Sequence, residues 1–146
     1  MSEHKATVFW KRTSSDFNYD SFDRSHLMTF EGGQRLSASS APEFLGKKEL
    51  ANPEELYVAA CSSCHMLTFL AIAAKSRLTV NSYEDHPVAT LEKDDKGVMR
   101  ITKVNLRPKV IFAETVPAEK VKELHAKAHK HCFVANSVNC EMTIDG

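Results

Sequence analysis

The chain has 146 residues, 42% apolar and 26% charged, and its 19 Lys and Arg are balanced by 19 Asp and Glu. That length supports a single domain, residues 1–146, burying roughly 70% of the surface its unfolded chain would expose, so no disulfide or metal staple is required. The composition excludes disorder and collagen-like repeats, and a net charge of zero supplies no strong field for phosphates, so nucleic acid is not an expected partner.

Met1 to Arg12 carries Glu3, Lys5, Lys11 and Arg12 and has no apolar run of the length a signal peptide needs, so a cytoplasmic location is expected. In that reducing compartment the four cysteines are expected as thiols. Thr7–Lys11 and Ser21–Phe30 read as strands joined through the polar Thr13–Asp16 segment, with Gly32-Gly33 ending the second. Gln34 to Ala51 reads as a loop. Asn52 then offers an N-cap, Pro53 suits the first helical position, and Glu55 is placed to answer the cap, so a helix is predicted from Asn52 to about Lys75.

Within that helix, Leu56 to Ala74 contains no Lys, Arg, Asp or Glu. Its length approaches a membrane span. Ser62, Ser63, His65 and Thr68 interrupt it, however, and Glu54, Glu55, Lys75 and Arg77 flank it in place of an aromatic belt, so no membrane is expected. A helix apolar on all sides is expected to be buried on all sides, which in so short a chain hints at a second subunit.

After Leu78 the pattern becomes extended, with Asp94-Asp95-Lys96-Gly97 as a turn between two runs. From Thr102 to Phe112 the apolar residues fall on even positions and Lys103, Asn105, Arg107 and Lys109 on odd ones, the pattern of a strand with one wet face. Pro108 cannot donate to a ladder, so it should lie at an edge or bulge. Pro117 to His131 is a second predicted helix, and Val138 to Ile144 a final half-buried strand. The order implies an α+β domain in which the central helix packs against antiparallel sheet.

The cysteines hold the chemical interest. Cys61-Ser62-Ser63-Cys64-His65 has the spacing of haem attachment, but it lies about three turns inside an apolar helix, with no room for a porphyrin. The same depth removes it from the helix N-terminus that activates a thioredoxin-type thiol. Cys61, Cys64, His129 and Cys132 are chemically reasonable zinc ligands, though they sit in helices where tight turns usually present such ligands. By helical phase, Cys64 shares a stripe with Ala60, Leu67 and Ala71, and Cys132 follows Val121, Leu124 and Ala128. Two such apolar seams facing one another would bring Cys64 and Cys132 within disulfide reach. The alternative is that both are small core hydrophobes.

The residues Asn52-Pro53-Glu54-Glu55-Leu56, Ala59-Ala60-Cys61-Ser62-Ser63-Cys64 and His129-Lys130-His131-Cys132, with Phe22-Asp23-Arg24-Ser25-His26 upstream, resemble the OsmC/Ohr family of osmotically induced and organic hydroperoxide resistance proteins. The resemblance implies an intertwined homodimer with strongly bent antiparallel sheets around two core helices. It also implies a thiol peroxidase without cofactor, its sites at the subunit interface. Cys64 matches the peroxidatic cysteine, Cys132 the resolving cysteine, Glu54 the acidic residue of the Asn-Pro-Glu motif, and Arg24 the arginine. The partners implied are a small-molecule hydroperoxide and a dithiol reductant.

This chemistry suits the residue types. A thiolate attacks the peroxide, so its pKa must fall although burial raises it. Arg24 would supply fixed positive charge to the leaving alkoxide, and Glu54 would hold the guanidinium. Glu54 and Cys64, ten positions apart on one helix, are separated by roughly 15 Å and cannot touch. A shared site therefore requires Arg24 to bridge them or a second subunit to contribute. His65, His125, His129 and His131 read as surface or packing residues, and Cys61 and Cys140 as packing. After Cys132 the chain reads Phe133-Val134-Ala135-Asn136 where the family commonly has a Pro-Tyr-Ser type continuation. A zinc-binding module and a family scaffold without peroxidase turnover are the competing readings.

Overall fold

The computed structural model describes residues 1–146, which form two compact units, residues 1–56 and 57–146.

In the first unit, β1 (Ala6–Phe9), β2 (His26–Phe30) and β3 (Arg35–Ala38) make an antiparallel sheet in that order. Gly33 turns β2 into β3 at φ 86°, a conformation without side-chain penalty only for glycine, and its N–H donates to the Phe30 carbonyl at 2.9 Å. Two expectations are corrected. Ser21 to Ser25 is not strand: the Asn18 carbonyl accepts from the N–H groups of Ser21 and Phe22, and the Asp23 carboxylate accepts from Ser25 N at 2.8 Å, so local capping wins over extension. The segment read as a loop contains β3, whose polar composition hides an edge strand paired with β2.

The long helix α1 (Pro53–Lys75) starts where its capping signals place it. Asn52 Oδ1 accepts from Glu55 N at 2.9 Å and Glu55 Oε2 accepts from Asn52 N at 3.1 Å, a reciprocal capping box.

The second unit holds most of α1 together with β4 (Val80–Asp85), β5 (Val88–Lys93), β6 (Met99–Leu106), β7 (Pro108–Phe112), α2 (Ala118–His131) and β8 (Glu141–Ile144). Strands β4 and β7 pair antiparallel, and a second sheet has the order β5-β6-β8. The β5–β6 hairpin turns at Asp94 to Gly97, where Asp94 Oδ1 accepts from Lys96 N and Val98 N and Gly97 takes φ 78°. The even positions of Thr102 to Phe112 do face inward, Val104, Leu106 and Pro108 being buried. The run is nevertheless two strands in different sheets, because Pro108 cannot continue the ladder. At the joint the Asp85 carboxylate accepts from Arg107 N at 2.6 Å and from the Ser62 hydroxyl of α1 at 2.5 Å. The last strand is shorter than predicted and lies parallel to β6, so this sheet is mixed and not purely antiparallel. Two helices and mixed sheets make an α+β fold.

One stripe of α1, not its whole circumference, is fully buried: Cys61, His65, Phe69 and Ala73. Phe69 and Ala73 pack with Leu124 and Ala128 of α2, and Cys61 packs with Val104 and Leu106 of β6. Full burial of Phe69 alone is worth about 2–3 kcal/mol. The opposite stripe, Ala60, Leu67 and Ala71, is exposed, so the expectation of all-round burial fails within one chain.

Candidate active site

The phase assigned to Cys64 is one step off. The buried stripe runs through Cys61, whereas Cys64 lies at its margin and is half-buried, facing an apolar cavity of about 880 Å³ lined by Leu67, Ala71, Ile72, Lys75 and Phe133 among others. Cys132 follows α2 directly as its C-cap, with extended backbone at φ −69° and ψ 119°, and is fully buried on the face of Leu124 and Ala128.

The two thiols converge on one segment. Both are reduced, and their sulfurs are held by neighbouring amides of that segment, Val134 N donating to Cys64 Sγ and Ala135 N donating to Cys132 Sγ at 3.4 Å, so that each bears on the other's acidity. Burial pushes the Cys64 thiol up, but the Cys132 thiol and the backbone N–H groups of Val134 and Phe133 donate toward its sulfur, with a smaller contribution from Thr68, and together they hold it below the ordinary thiol value. Val134 N stands 3.5 Å from Cys64 Sγ. Burial, then the neighbouring Cys64, pushes Cys132 the other way, above its ordinary value. The pair is polarised: one sulfur is prepared to ionise and its neighbour keeps a proton. No guanidinium contributes to this within the second unit.

Arg24 lies in the first unit and precedes β2, so it is not a strand residue. Its Nη2 donates to the Tyr19 carbonyl at 2.6 Å and its Nη1 to the Phe22 carbonyl at 2.9 Å, and its guanidinium lies 3.8 Å from the centre of the Phe22 ring. These contacts do the positioning assigned to Glu54, which forms no ion pair with Arg24 here. Arg24 lines an apolar cavity of about 320 Å³ with Trp10, Phe17, Phe22 and Pro53. Glu54, beside Pro53, has an Oε2 shielded from solvent and without a hydrogen-bond partner. A buried carboxylate oxygen left unpaired costs free energy, so it is a group awaiting a donor.

The zinc candidates Cys61, Cys64, His129 and Cys132 do not converge, since no three His, Cys, Asp or Glu side chains are placed to hold one metal ion. Sequence reasoning also missed two contacts. Of the surface and packing readings, packing holds for His65 and His125, which are buried, but their direct bond to one another is not foreseen. Tyr57 Oη lies 3.4 Å from Cys140 Sγ, a contact across 83 positions that no local pattern announces.

The sequence profile of a family described as OsmC-like protein matches residues 46–145. An uncharacterized protein of Bacillus subtilis (strain 168) is 25% identical over 129 residues, 84% of this chain and 85% of its own length. Among solved structures, an OsmC-like protein of unknown function from Vibrio cholerae O1 is 44% identical, with a TM-score of 0.93 over 99% of this chain and 98% of that one. An organic hydroperoxide resistance protein from Elizabethkingia anophelis shares the fold, with 18% identity and a TM-score of 0.75 over 99% and 94% of the two chains.

Proposed function

Because the chain belongs to the OsmC-like protein family, we propose that it is a thiol peroxidase that reduces organic hydroperoxides to alcohols through Cys64. The observation that carries this reading is the polarised pair of Cys64, held below the ordinary thiol value, and the proton-bearing Cys132, beside an apolar cavity. The fold shared with organic hydroperoxide resistance proteins supports it.

The Cys64 thiolate attacks the hydroxyl oxygen of the hydroperoxide. The O–O bond breaks, the alkoxide leaves and takes a proton, and Cys64 becomes a sulfenic acid. Cys132 then condenses with it, releasing water and forming the Cys64–Cys132 disulfide, which protects Cys64 from over-oxidation. A cellular dithiol reopens the disulfide by exchange. Arg24 supplies the cation that stabilises the alkoxide, with Glu54 close to it in the assembled site. Since Glu54 stands roughly 15 Å along α1 from Cys64, the Arg24–Glu54 half of the site comes from a second copy of the chain, in a homodimer acting in the cytoplasm. Leu67, Ala71 and Phe133 favour an apolar substrate, since a small polar oxidant gains little from such a wall.

The test is peptide mapping by mass spectrometry after one equivalent of cumene hydroperoxide. Wild type should carry the Cys64–Cys132 disulfide and Cys132→Ser a trappable sulfenic acid on Cys64. Retention of both free thiols in wild type would refute the peroxidase reading. Second-order rates should be well above those for hydrogen peroxide, and equal rates would remove the assignment to organic substrates.

A further inference from the structure

The peroxidase reading uses two of the four cysteines. The other two are not scattered. Cys61 is fully buried on α1, one step around the helix from Cys64, in the cluster where Cys140 also packs. Its thiol is pushed up to about 11 by burial and then by the neighbouring sulfurs of Cys140, Cys132 and Cys64, in that order of effect. Cys61 thus stands between Cys64 and Cys140, one helical step from Cys64 on α1 and packed with Cys140 and Val134 in one cluster. Cys64 opens to the cavity and neighbours Cys132, Cys132 and Cys61 are both sealed from solvent, and Cys140 is half-buried with Tyr57 Oη 3.4 Å away. Arg100 Nη1 reaches the carbonyl of Asn139, the residue before Cys140, at 3.5 Å.

We propose that Cys61 and Cys140 are a second dithiol that accepts the disulfide from Cys64–Cys132 and so returns Cys64 to its reactive form within the same chain. This rests on the peroxidase reading for its source of oxidation. The Cys61 thiolate attacks Cys132 Sγ. The Cys64–Cys132 bond breaks, Cys64 leaves as thiolate, and a Cys61–Cys132 disulfide forms. The Cys140 thiolate then attacks Cys61 Sγ, expelling Cys132 and leaving a Cys61–Cys140 disulfide. No net oxidation occurs: two protons leave Cys61 and Cys140, and Cys64 and Cys132 regain theirs according to their acidity.

The direction follows from the environments. A disulfide is most readily lost by the sulfur whose thiolate is best stabilised, and that is Cys64. Burial leaves the attacking Cys61 little thiolate near neutrality, so release of the better-stabilised Cys64 thiolate is favoured but the transfer is slow there. Tyr57 Oη is placed to donate to Cys140 as that sulfur ionises.

The experiment counts cumene hydroperoxide consumed per chain without reductant, with disulfides mapped over time after acid quenching. Wild type should consume two equivalents, the second at a rate rising about tenfold per pH unit from pH 7 to 9 because the Cys61 thiolate is limiting. The mapped bond should move from Cys64–Cys132 to Cys61–Cys140, and Cys61→Ser should stop at one equivalent. Wild type stopping at one equivalent with the bond still at Cys64–Cys132 would overturn the relay while leaving the peroxidase reading intact. If hydroperoxide oxidises nothing, the peroxidase reading has failed. One equivalent of diamide then installs the first disulfide in its place, and its migration to Cys61–Cys140, or its staying put, decides the relay independently.

Discussion

His65 and His125 lie edge to edge and nearly coplanar inside the second unit, their ring centroids 5.3 Å apart and their planes 8° from parallel, with Nε2 of the first 3.0 Å from Nδ1 of the second. One proton serves that bond, and the outer nitrogens, His65 Nδ1 and His125 Nε2, are buried without partners. A charge on either ring would be buried with no group to take it up, so the neutral pair is favoured. Burial, then the nearby His125 and His129, drives His65 down to about 4 despite Asp85, and burial lowers His125 as well.

This makes folding stability depend on pH in a defined direction. Between about pH 6.5 and 4 the unfolded chain binds protons that the folded chain refuses, so stability is full above pH 6.5 and is lost as pH falls toward 4. The loss from His65 alone is about 2–3 kcal/mol. Urea midpoints measured from pH 7 to 4.5 should fall accordingly, and the double variant His65→Leu, His125→Leu should flatten the slope. A wild-type midpoint independent of pH would show that the pair is not coupled to folding.

Cys64 should react with iodoacetamide faster than any other thiol of the folded chain, with a pH midpoint below the ordinary thiol value. Cys132→Ala removes the proton donor and should move that midpoint upward, while Cys140→Ser should leave it in place. An unchanged midpoint in Cys132→Ala would mean that the backbone N–H groups of Phe133 and Val134 suffice.

If each site takes Cys64 from one copy and Arg24 from another, two inactive variants should complement. Randomly mixed Cys64→Ser and Arg24→Ala chains should regain about a quarter of wild-type activity, because half the dimers are mixed and one of their two sites is whole. Activity no greater than that of the parents would place Arg24 outside a shared site.

The Asn52–Glu55 capping box fixes where α1 begins, and hence the register of Cys64 eleven positions after Pro53. Asn52→Ala should cost about 1 kcal/mol, read as a fall of about 3 °C in Tm, with Asn52→Asp largely restoring it.

These elements differ in how legible they are. The start of α1, the Asp94–Gly97 turn and the inward set from Val104 to Phe112 are written locally, in a cap, a turn sequence and a period of two, and the structure bears them out. The phase of α1 is not, because a helix apolar nearly all round carries no direction, and only the sheets that cover it decide that Cys61 and not Cys64 faces inward. Likewise β3 and the parallel pairing of β8 depend on partners far along the chain. Of the candidate site, motif singles out Cys64 and Cys132, which the structure places beside the Phe133–Ala135 segment, and Arg24 and Glu54, which form no ion pair. The buried histidine pair was missed because an isolated imidazole in sequence gives no sign of a second one sixty positions on.

Asp85 closes a gap that a proline opens. Where β6 gives way to β7 the ladder cannot continue through Pro108, yet the one free amide at the joint, Arg107 N, is taken by a carboxylate that also grips Ser62. An unsatisfied strand junction of this kind is where a stray chain would ordinarily add on and seed a fibril. With its donor already engaged, this seam offers foreign backbone no first rung.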